Sequence, residues 1–286
     1  MFVDLQQSIT EIPFSSTEYP SAWKELPDAP KSLYAFGNIA LLKERKFAIV
    51  GSRTTPVNAL KLGEQISEQL SHAFVIVTGV ADGGDTAAIE GALKGSGRVI
   101  CLLAGGFSAL PQCNLALLKK VAKKGLILSP HPFDTEVRAF SYEYRNKLLA
   151  KLCEGVLALG AGMKSGVLIT AKYAMEFGKP VFALPYPPNS ASGAGCNALI
   201  KKGGYLTESA TDIAEKYTVD LTECKKEISL TSDEQALYEV LQEGEAHATE
   251  LAQKTGIPVF KLRAILSSLE VKGVVVSLGG NRYAAV

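Results

Sequence analysis

The chain has 286 residues, 47% of them hydrophobic and 21% charged, with a formal net charge of +1. That length predicts two domains with ample core, and the composition excludes a disordered or collagen-like chain. A net charge so near zero excludes a global basic field, so any polyanion site has to be a local concentration of cations.

Residues 1–45 carry Pro13, Pro20, Pro27 and Pro30, with Trp23 and Tyr34 between them. They read as an irregular lead-in that packs its aromatics on the next domain. From 46 to 217 strands alternate with helices. Phe47 to Val50 predict a buried strand, followed by a helix over 56–71 with an apolar stripe at Leu60, Leu62, Ile66 and Leu70. Thr54 or Thr55 offers a hydroxyl N-cap and Pro56 suits the first helical position. Then come strand 74–78, helix 85–94, strand 98–103, helix 114–124, strand 126–128, helix 143–153, strand 155–159, helix 166–177, strand 180–184 and helical stretches near 195–202 and 209–217. Near-continuous apolar strands alternating with helices imply a doubly wound, mostly parallel sheet covered on both faces.

Residues 218–232 are polar and read as a linker, with Glu223-Cys-Lys-Lys-Glu227 at its centre. Residues 233–286 change rhythm. Helices are expected at 233–242, 248–255 and 258–271, stopped or opened by Gly256, Pro258 and Gly273. A terminal hairpin follows around Gly279-Gly-Asn281, which makes a small winged helix-turn-helix domain.

Five cysteines (Cys101, Cys113, Cys153, Cys196 and Cys224) form no C-x-x-C pair and are odd in number. They point to reduced thiols in the cytoplasm, with neither disulfides nor a metal site. No apolar run approaches the length of about 18 residues that a membrane helix needs, and Met1-Phe-Val-Asp4 lacks the features of a signal peptide.

Four glycine-rich loops follow strands of the predicted sheet. They are Gly51-Ser-Arg53, Thr78-Gly-Val-Ala-Asp-Gly-Gly-Asp85, Ala104-Gly-Gly106 and Gly160-Ala-Gly-Met-Lys-Ser-Gly166. In a parallel sheet such loops share one edge, where ligands sit at the switch in strand order. Glycine lets a ligand approach the backbone, and helix N-termini favour anions. Asp85 and Ser165 read as N-caps of two such helices, and Arg53 and Lys164 add cations. The pattern points to a phosphate-bearing ligand. From the first loop alone, an ordinary turn with a solvated Arg53 reads equally well.

The dinucleotide fingerprint is absent, since Gly160 to Gly166 is one residue too long and no acidic residue follows at the ribose distance. A P-loop is absent too, because no glycine precedes Lys164-Ser165. Catalytic groups are sparse: His72, His131 and His247 have no evident partners, and Glu90 and Glu176 lie on helix bodies. The site reads as one that binds, without a cofactor. Arg138-Ala-Phe-Ser-Tyr-Glu-Tyr-Arg-Asn-Lys147 interleaves cations with aromatics, a pattern that grips phosphates and stacks unpaired bases. It also suits the start of an amphipathic helix with Phe140 and Tyr144 in the core. Lys119-Lys120 and Lys123-Lys124 read as a solvated helix face.

These residues resemble the DprA/Smf DNA-processing family. The resemblance is carried by Ala48-Ile-Val-Gly-Ser-Arg53, the loop from Thr78 to Ala88, Arg145-Asn-Lys147, Lys164-Ser-Gly-Val-Leu-Ile-Thr-Ala171, Glu176 to Pro185 and Gly195-Cys-Asn-Ala-Leu-Ile200. Tyr19-Pro20 and Leu33-Tyr-Ala-Phe-Gly37 resemble the family's lead-in, so the likeness runs from about 19 to 206. It implies an extended Rossmann-like domain that binds single-stranded DNA as a homodimer and loads the RecA recombinase during natural transformation. By position it implies a phosphate pocket made by Gly51, Ser52, Arg53, Arg145, Lys147, Ser165 and Gly166. The candidate site adds Gly79, Gly83 and Gly84 of the second glycine loop, Asn146 and Lys164, with no catalytic residue and no metal ligand.

The chain departs from the family pattern at four places. Asp82 stands where the family usually has Arg, Lys147 replaces a second Arg, Val167 replaces a Ser and Tyr186 replaces a Gly. Two other readings compete. One is a Rossmann-type enzyme that hydrolyses nucleoside monophosphates, although its Pro-Gly-Gly-x-Gly-Thr-x-x-Glu motif has no match here. The other is a nucleotide sensor whose output is the winged helix. Residues 229–286 hold five cations and seven anions, a net of −2, so that domain is expected to bind protein or brace the dimer rather than enter DNA.

Overall fold

The computed structural model describes residues 8–110, 114–221 and 230–285. The chain forms two compact units, Met1–Cys224 and Lys225–Val286. Residues 222–229 of the expected linker, with Cys224, lie outside the described residues, as does Cys113.

In the first unit the lead-in is not irregular. Its prolines bound regular structure: strand β1 (Thr10–Pro13), a short helix α1 (Ser21–Lys24) and strand β2 (Ser32–Gly37). Next come β3 (Lys46–Val50), α2 (Val57–Leu70), β4 (Val75–Thr78), α3 (Gly84–Lys94), β5 (Val99–Leu102), α4 (Leu115–Lys124) and β6 (Leu126–Ser129). Then follow α5 (Ala139–Leu152), β7 (Val156–Ala158), α6 (Gly166–Glu176), β8 (Val181–Ala183), α7 (Ala194–Lys201), β9 (Tyr205–Leu206) and α8 (Ala210–Tyr217).

Among the described residues these strands build one sheet in the order β1-β2-β6-β5-β4-β3-β7-β8-β9. Strands β3 to β9 pair in parallel, and β1 and β2 extend the β6 edge antiparallel. The strands are buried on both faces, which is why they read as unbroken apolar runs. Ala48, Val50, Val75, Val77, Ile100 and Leu102 point to one core layer. Phe47, Ile49, Ile76, Val99, Cys101 and Leu157 point to the other. Trp23 is fully buried in the first layer, and its indole N–H donates to the Leu148 carbonyl at 2.8 Å. The described cysteines, Cys101, Cys153 and Cys196, are free and buried.

Two helix starts differ from expectation. Pro56 is itself the N-cap of α2, and the Thr55 hydroxyl donates to the Ser52 carbonyl at 2.8 Å, closing the turn rather than capping the helix. Gly83, at φ 83°, is the N-cap of α3, and Asp85 lies buried inside its first turn. The Ser165 cap of α6 is present, with its hydroxyl accepting from Val167 N–H at 3.3 Å.

The second unit contains α9 (Ser232–Gln242), β10 (Ala246–His247), α10 (Ala248–Thr255), α11 (Val259–Val271), β11 (Val275–Gly279) and β12 (Arg282–Ala285). Its three-stranded sheet runs β10-β12-β11, and its own core holds Leu237, Leu251, Leu262, Leu266 and Leu269. This is the winged-helix arrangement of three helices and a hairpin, with β10 as a third strand. No helix among the described residues is long and apolar enough to cross a membrane.

Candidate functional site

Strand order reverses between β3 and β7: β4, β5 and β6 lie on one side of that pair, β8 and β9 on the other. The loops leaving β3 and β7 therefore diverge and open a crevice at the carboxyl ends of the strands. The crevice measures about 470 Å³. Gly51, Ser52 and Arg53 line one side, and Lys164, Ser165 and Gly166 the other. The N-terminus of α6 opens into it, so a partial positive charge stands beside the two lysine and arginine side chains. Arg53 and Lys164 are both exposed, and neither forms an ion pair among the described residues.

The floor is built by Asp85, Arg145 and Asn146. Arg145 is 9% exposed and Asp85 5%. Asp85 accepts from the Ala81 N–H at 3.3 Å and, at 3.5 Å, from the Gly51 N–H. Arg145 donates through Nη1 to the Leu102 carbonyl at 3.0 Å and through Nε to Asn146 Oδ1 at 2.9 Å. Asn146 in turn donates to the Gly166 carbonyl at 3.2 Å. The three side chains thus tie the loops after β3 and β4, the end of β5 and the start of α6 into one frame. Burial pushes the Asp85 carboxyl up and the Arg145 guanidinium down, and their mutual attraction opposes both shifts. An arginine does not lose its proton in a protein, so Arg145 stays charged beside Asp85.

The other predicted residues separate into groups. Gly79, Gly83 and Gly84 do not line the crevice; they lie behind it, where backbone segments meet. A Cβ on Gly84 would stand 2.2 Å from the Gly51 Cα, so α3 and the β3 loop approach as closely as they do only because both positions are glycine. Lys147 is not brought to the crevice either. It lies two positions from Arg145, about 200° around α5. Its ammonium donates to Asp28 at 2.7 and 2.8 Å, and Tyr144 donates to the Asp28 carbonyl at 2.7 Å. One face of α5 therefore grips the lead-in while the other floors the crevice.

Phe140 and Tyr142 are 64% and 47% exposed, and Tyr142 lines the crevice, three positions before Arg145. That spacing was a usable signal for a stacking residue on the crevice face. Tyr144, half-buried, packs on His131 with ring centroids 6.0 Å apart. Burial lowers the His131 imidazole's pKa, and its Nε2 faces no polar partner. His131 is thus a packed side chain rather than a crevice group. The departures at 167 and 186 are absorbed structurally. Val167 is buried in the first core layer, and the Tyr186 hydroxyl donates to the Leu159 carbonyl while Asn197 brackets its backbone from both sides. The lysines of α4 are exposed, as expected. Among the described residues no group of three or more His, Cys, Asp and Glu side chains is placed to hold a metal ion.

The comparisons with known proteins agree with this geometry. A family model described as DNA recombination-mediator protein A matches residues 10–218, and a DprA winged helix domain model matches residues 225–281. The chain is 36% identical over 214 residues to DNA processing protein DprA of Bacillus subtilis, covering 74% of this chain and 72% of that one. It is 36% identical over 200 residues to DNA processing protein DprA of Streptococcus pneumoniae, covering 70% and 71%. The X-ray structure of the Streptococcus pneumoniae DprA superposes with a TM-score of 0.70 at 34% identity, over 75% of this chain and 76% of that one. A DprA structure from Helicobacter pylori, described for its single-stranded DNA binding mode, superposes with a TM-score of 0.67 at 29% identity, over 73% and 95%. A Rossmann-like sheet with its crevice at the switch point, a winged helix following it in the chain and these matches along nearly the whole chain show that the chain belongs to the DprA family of DNA recombination mediators.

Proposed function

We propose that this protein binds single-stranded DNA in the crevice between the β3 and β7 loops and acts in DNA processing during natural transformation. The observation that carries the reading is the pairing of Arg53 and Lys164, two exposed cations without ion pairs among the described residues, across a crevice that also receives the N-terminus of α6. Phosphates would lie between the two cations, and Tyr142 offers an exposed ring on which an unpaired base can stack. A duplex presents no free base face, so the single strand is the form that fits.

The chemistry supports binding rather than turnover. Asp85 is the carboxylate that lines the crevice, and its oxygens are occupied by the Gly51 and Ala81 amides beside Arg145. It is not free to act as a general base. That weighs against the hydrolase reading, and no feature of the crevice favours the sensor reading.

Family membership supports two finer proposals: the protein works as a homodimer in the cytoplasm, and it delivers strands to the RecA recombinase. The decisive experiment for the primary reading is fluorescence anisotropy with single-stranded and duplex oligonucleotides of one sequence at two salt concentrations. Tighter binding of the single strand, weakening as salt rises, is expected. Equal binding of duplex, or none of either, removes the reading. Strand exchange by RecA on strands precoated with single-strand-binding protein tests the recombinase step separately.

A further inference from the structure

Beside the crevice, and sharing Arg53, Ala81, Tyr142 and Arg145 with it, lies a second, smaller slot of about 110 Å³. It sits where the loops after β4 and β5 meet the start of α5. Val80, Leu103, Leu110 and Val137 give it apolar walls. Three charged residues line it as well, Arg53, Asp82 and the buried Arg145. Arg53 and Asp82 are exposed, and neither is ion-paired among the described residues. An apolar slot of this size, opening beside a phosphate crevice, suits one aromatic ring. The polar groups that line it then decide which ring.

Asp82 only accepts hydrogen bonds. Thymine offers a single N–H between two carbonyls, so a carboxylate beside it meets one donor and two repelling oxygens. Adenine offers one amino group. Guanine offers N1–H and the 2-amino group side by side, which match the two oxygens of a carboxylate.

We propose that this slot selects guanine within a bound single strand, with Asp82 holding the N1–H and 2-amino groups of its Watson–Crick edge. The proposal rests on the single-strand reading above and goes beyond it, since a grip on phosphates and base faces alone is indifferent to sequence. Asp82 is also the position where the family resemblance leads one to expect an arginine, which would donate rather than accept.

The test compares labelled thymidine oligomers with the same oligomers carrying one central guanine or inosine, by fluorescence anisotropy on the full chain. The guanine strand should bind about fivefold tighter than the thymidine strand, the low end for a bidentate base contact because Asp82 competes with water. Inosine, which lacks the 2-amino group, should fall between them. In Asp82→Ala the ratio of guanine to thymidine affinity should drop to about one. Reading a ratio removes the general loss of negative charge from the comparison. Equal binding of all three strands by the unaltered protein, or a guanine preference that survives Asp82→Ala, overturns the proposal and leaves the single-strand reading standing. Failure to bind any strand overturns both. Displacement of the guanine strand by an equimolar amount of free dGMP would make the ligand a mononucleotide and overturn the assignment to a strand.

Discussion

A Cβ placed on Gly79 would stand 2.0 Å from Nη1 of Arg145 and 2.3 Å from Oδ2 of Asp85. The β4 loop passes directly over these two buried side chains, and only a residue without a side chain fits between them. The pair has little room to yield, because Arg145 is anchored to the Leu102 carbonyl and to Asn146. Gly79→Ala should therefore cost about 1–3 kcal/mol of stability, as overpacked sites do, and should loosen the crevice floor. Urea denaturation followed through Trp23 fluorescence measures it; an unchanged midpoint would show that the loop yields freely.

The cations named from the sequence should behave as three different kinds of residue. Arg53→Ala removes an exposed charge at the crevice wall. It should weaken single-strand binding and lower the salt slope by roughly one phosphate contact, with stability unchanged. Lys147→Ala removes a partly exposed ion pair with Asp28, which at most contributes about 1 kcal/mol of stability, and should leave DNA affinity alone. Arg145→Ala strands the buried Asp85 carboxylate and should cost about 3 kcal/mol or more. Titrations at several salt concentrations, paired with denaturation curves, separate the three. A drop in affinity for Lys147→Ala that matched Arg53→Ala would return Lys147 to the DNA path.

The fold and the crevice were largely legible, for a physical reason. Apolar strands followed by glycine turns can only be parallel strands buried on both faces, and their loops then share an edge. Gly256, at φ 71°, and Gly273 similarly punctuate the winged helix in the sequence itself. What could not be read was set by distant partners. Strands β1 and β2 are short and proline-flanked; β2 gains its order by pairing onto β6, roughly ninety residues away, and β1 by pairing onto β2. Asp85 has the composition of a cap, but its role comes from Arg145 on another helix. Lys147 and Arg145 read as one element in the sequence, whereas helical phase places the two on different faces of α5. That phase was available from the spacing alone.

The second unit carries a carboxylate whose titration can be followed. Glu234 accepts from Lys272 Nζ at 2.6 Å, from the Ser268 hydroxyl at 2.7 Å and from Thr231 N–H at 2.7 Å, linking α9 to α11. These bonds, that from Lys272 foremost, pull its pKa from the ordinary 4.5 down to about 2. Because the folded value is depressed, the stabilisation is complete above the unfolded value. It fades as pH falls through about 4.5 toward 2. Hydrogen exchange of α9 and α11 amides, corrected for intrinsic rates, should show protection that falls across that window. Glu234→Gln should already be less protected at neutral pH and should flatten the response; equal pH dependence in both proteins would remove Glu234 from the linkage.

The winged helix invites a reading in which α11 enters a DNA major groove. The charges in this unit oppose it. Lys254 pairs with Glu250 at 3.2 Å, Lys272 with Glu234 at 2.6 Å and Arg282 with Glu245 at 2.9 Å. Of the five cations in residues 229–286, that leaves Lys261 and Arg263 without an ion pair among the described residues, against seven anions. Two uncommitted cations on residues 229–286, whose net charge is −2, provide little counterion release. Leu262, Leu266 and Leu269 of α11 are committed to the core, while Val259 and Phe260 at its start are 55% and 79% exposed. An apolar helix start of this kind suits protein more than phosphate. Removing residues 229–286, which contain that unit's core, should leave single-strand affinity within about threefold, below roughly 0.7 kcal/mol. Anisotropy on the truncated chain, with its fold confirmed by circular dichroism, gives the answer. A loss of about tenfold or more would make the winged helix a second DNA site and would direct attention to Lys261 and Arg263 first.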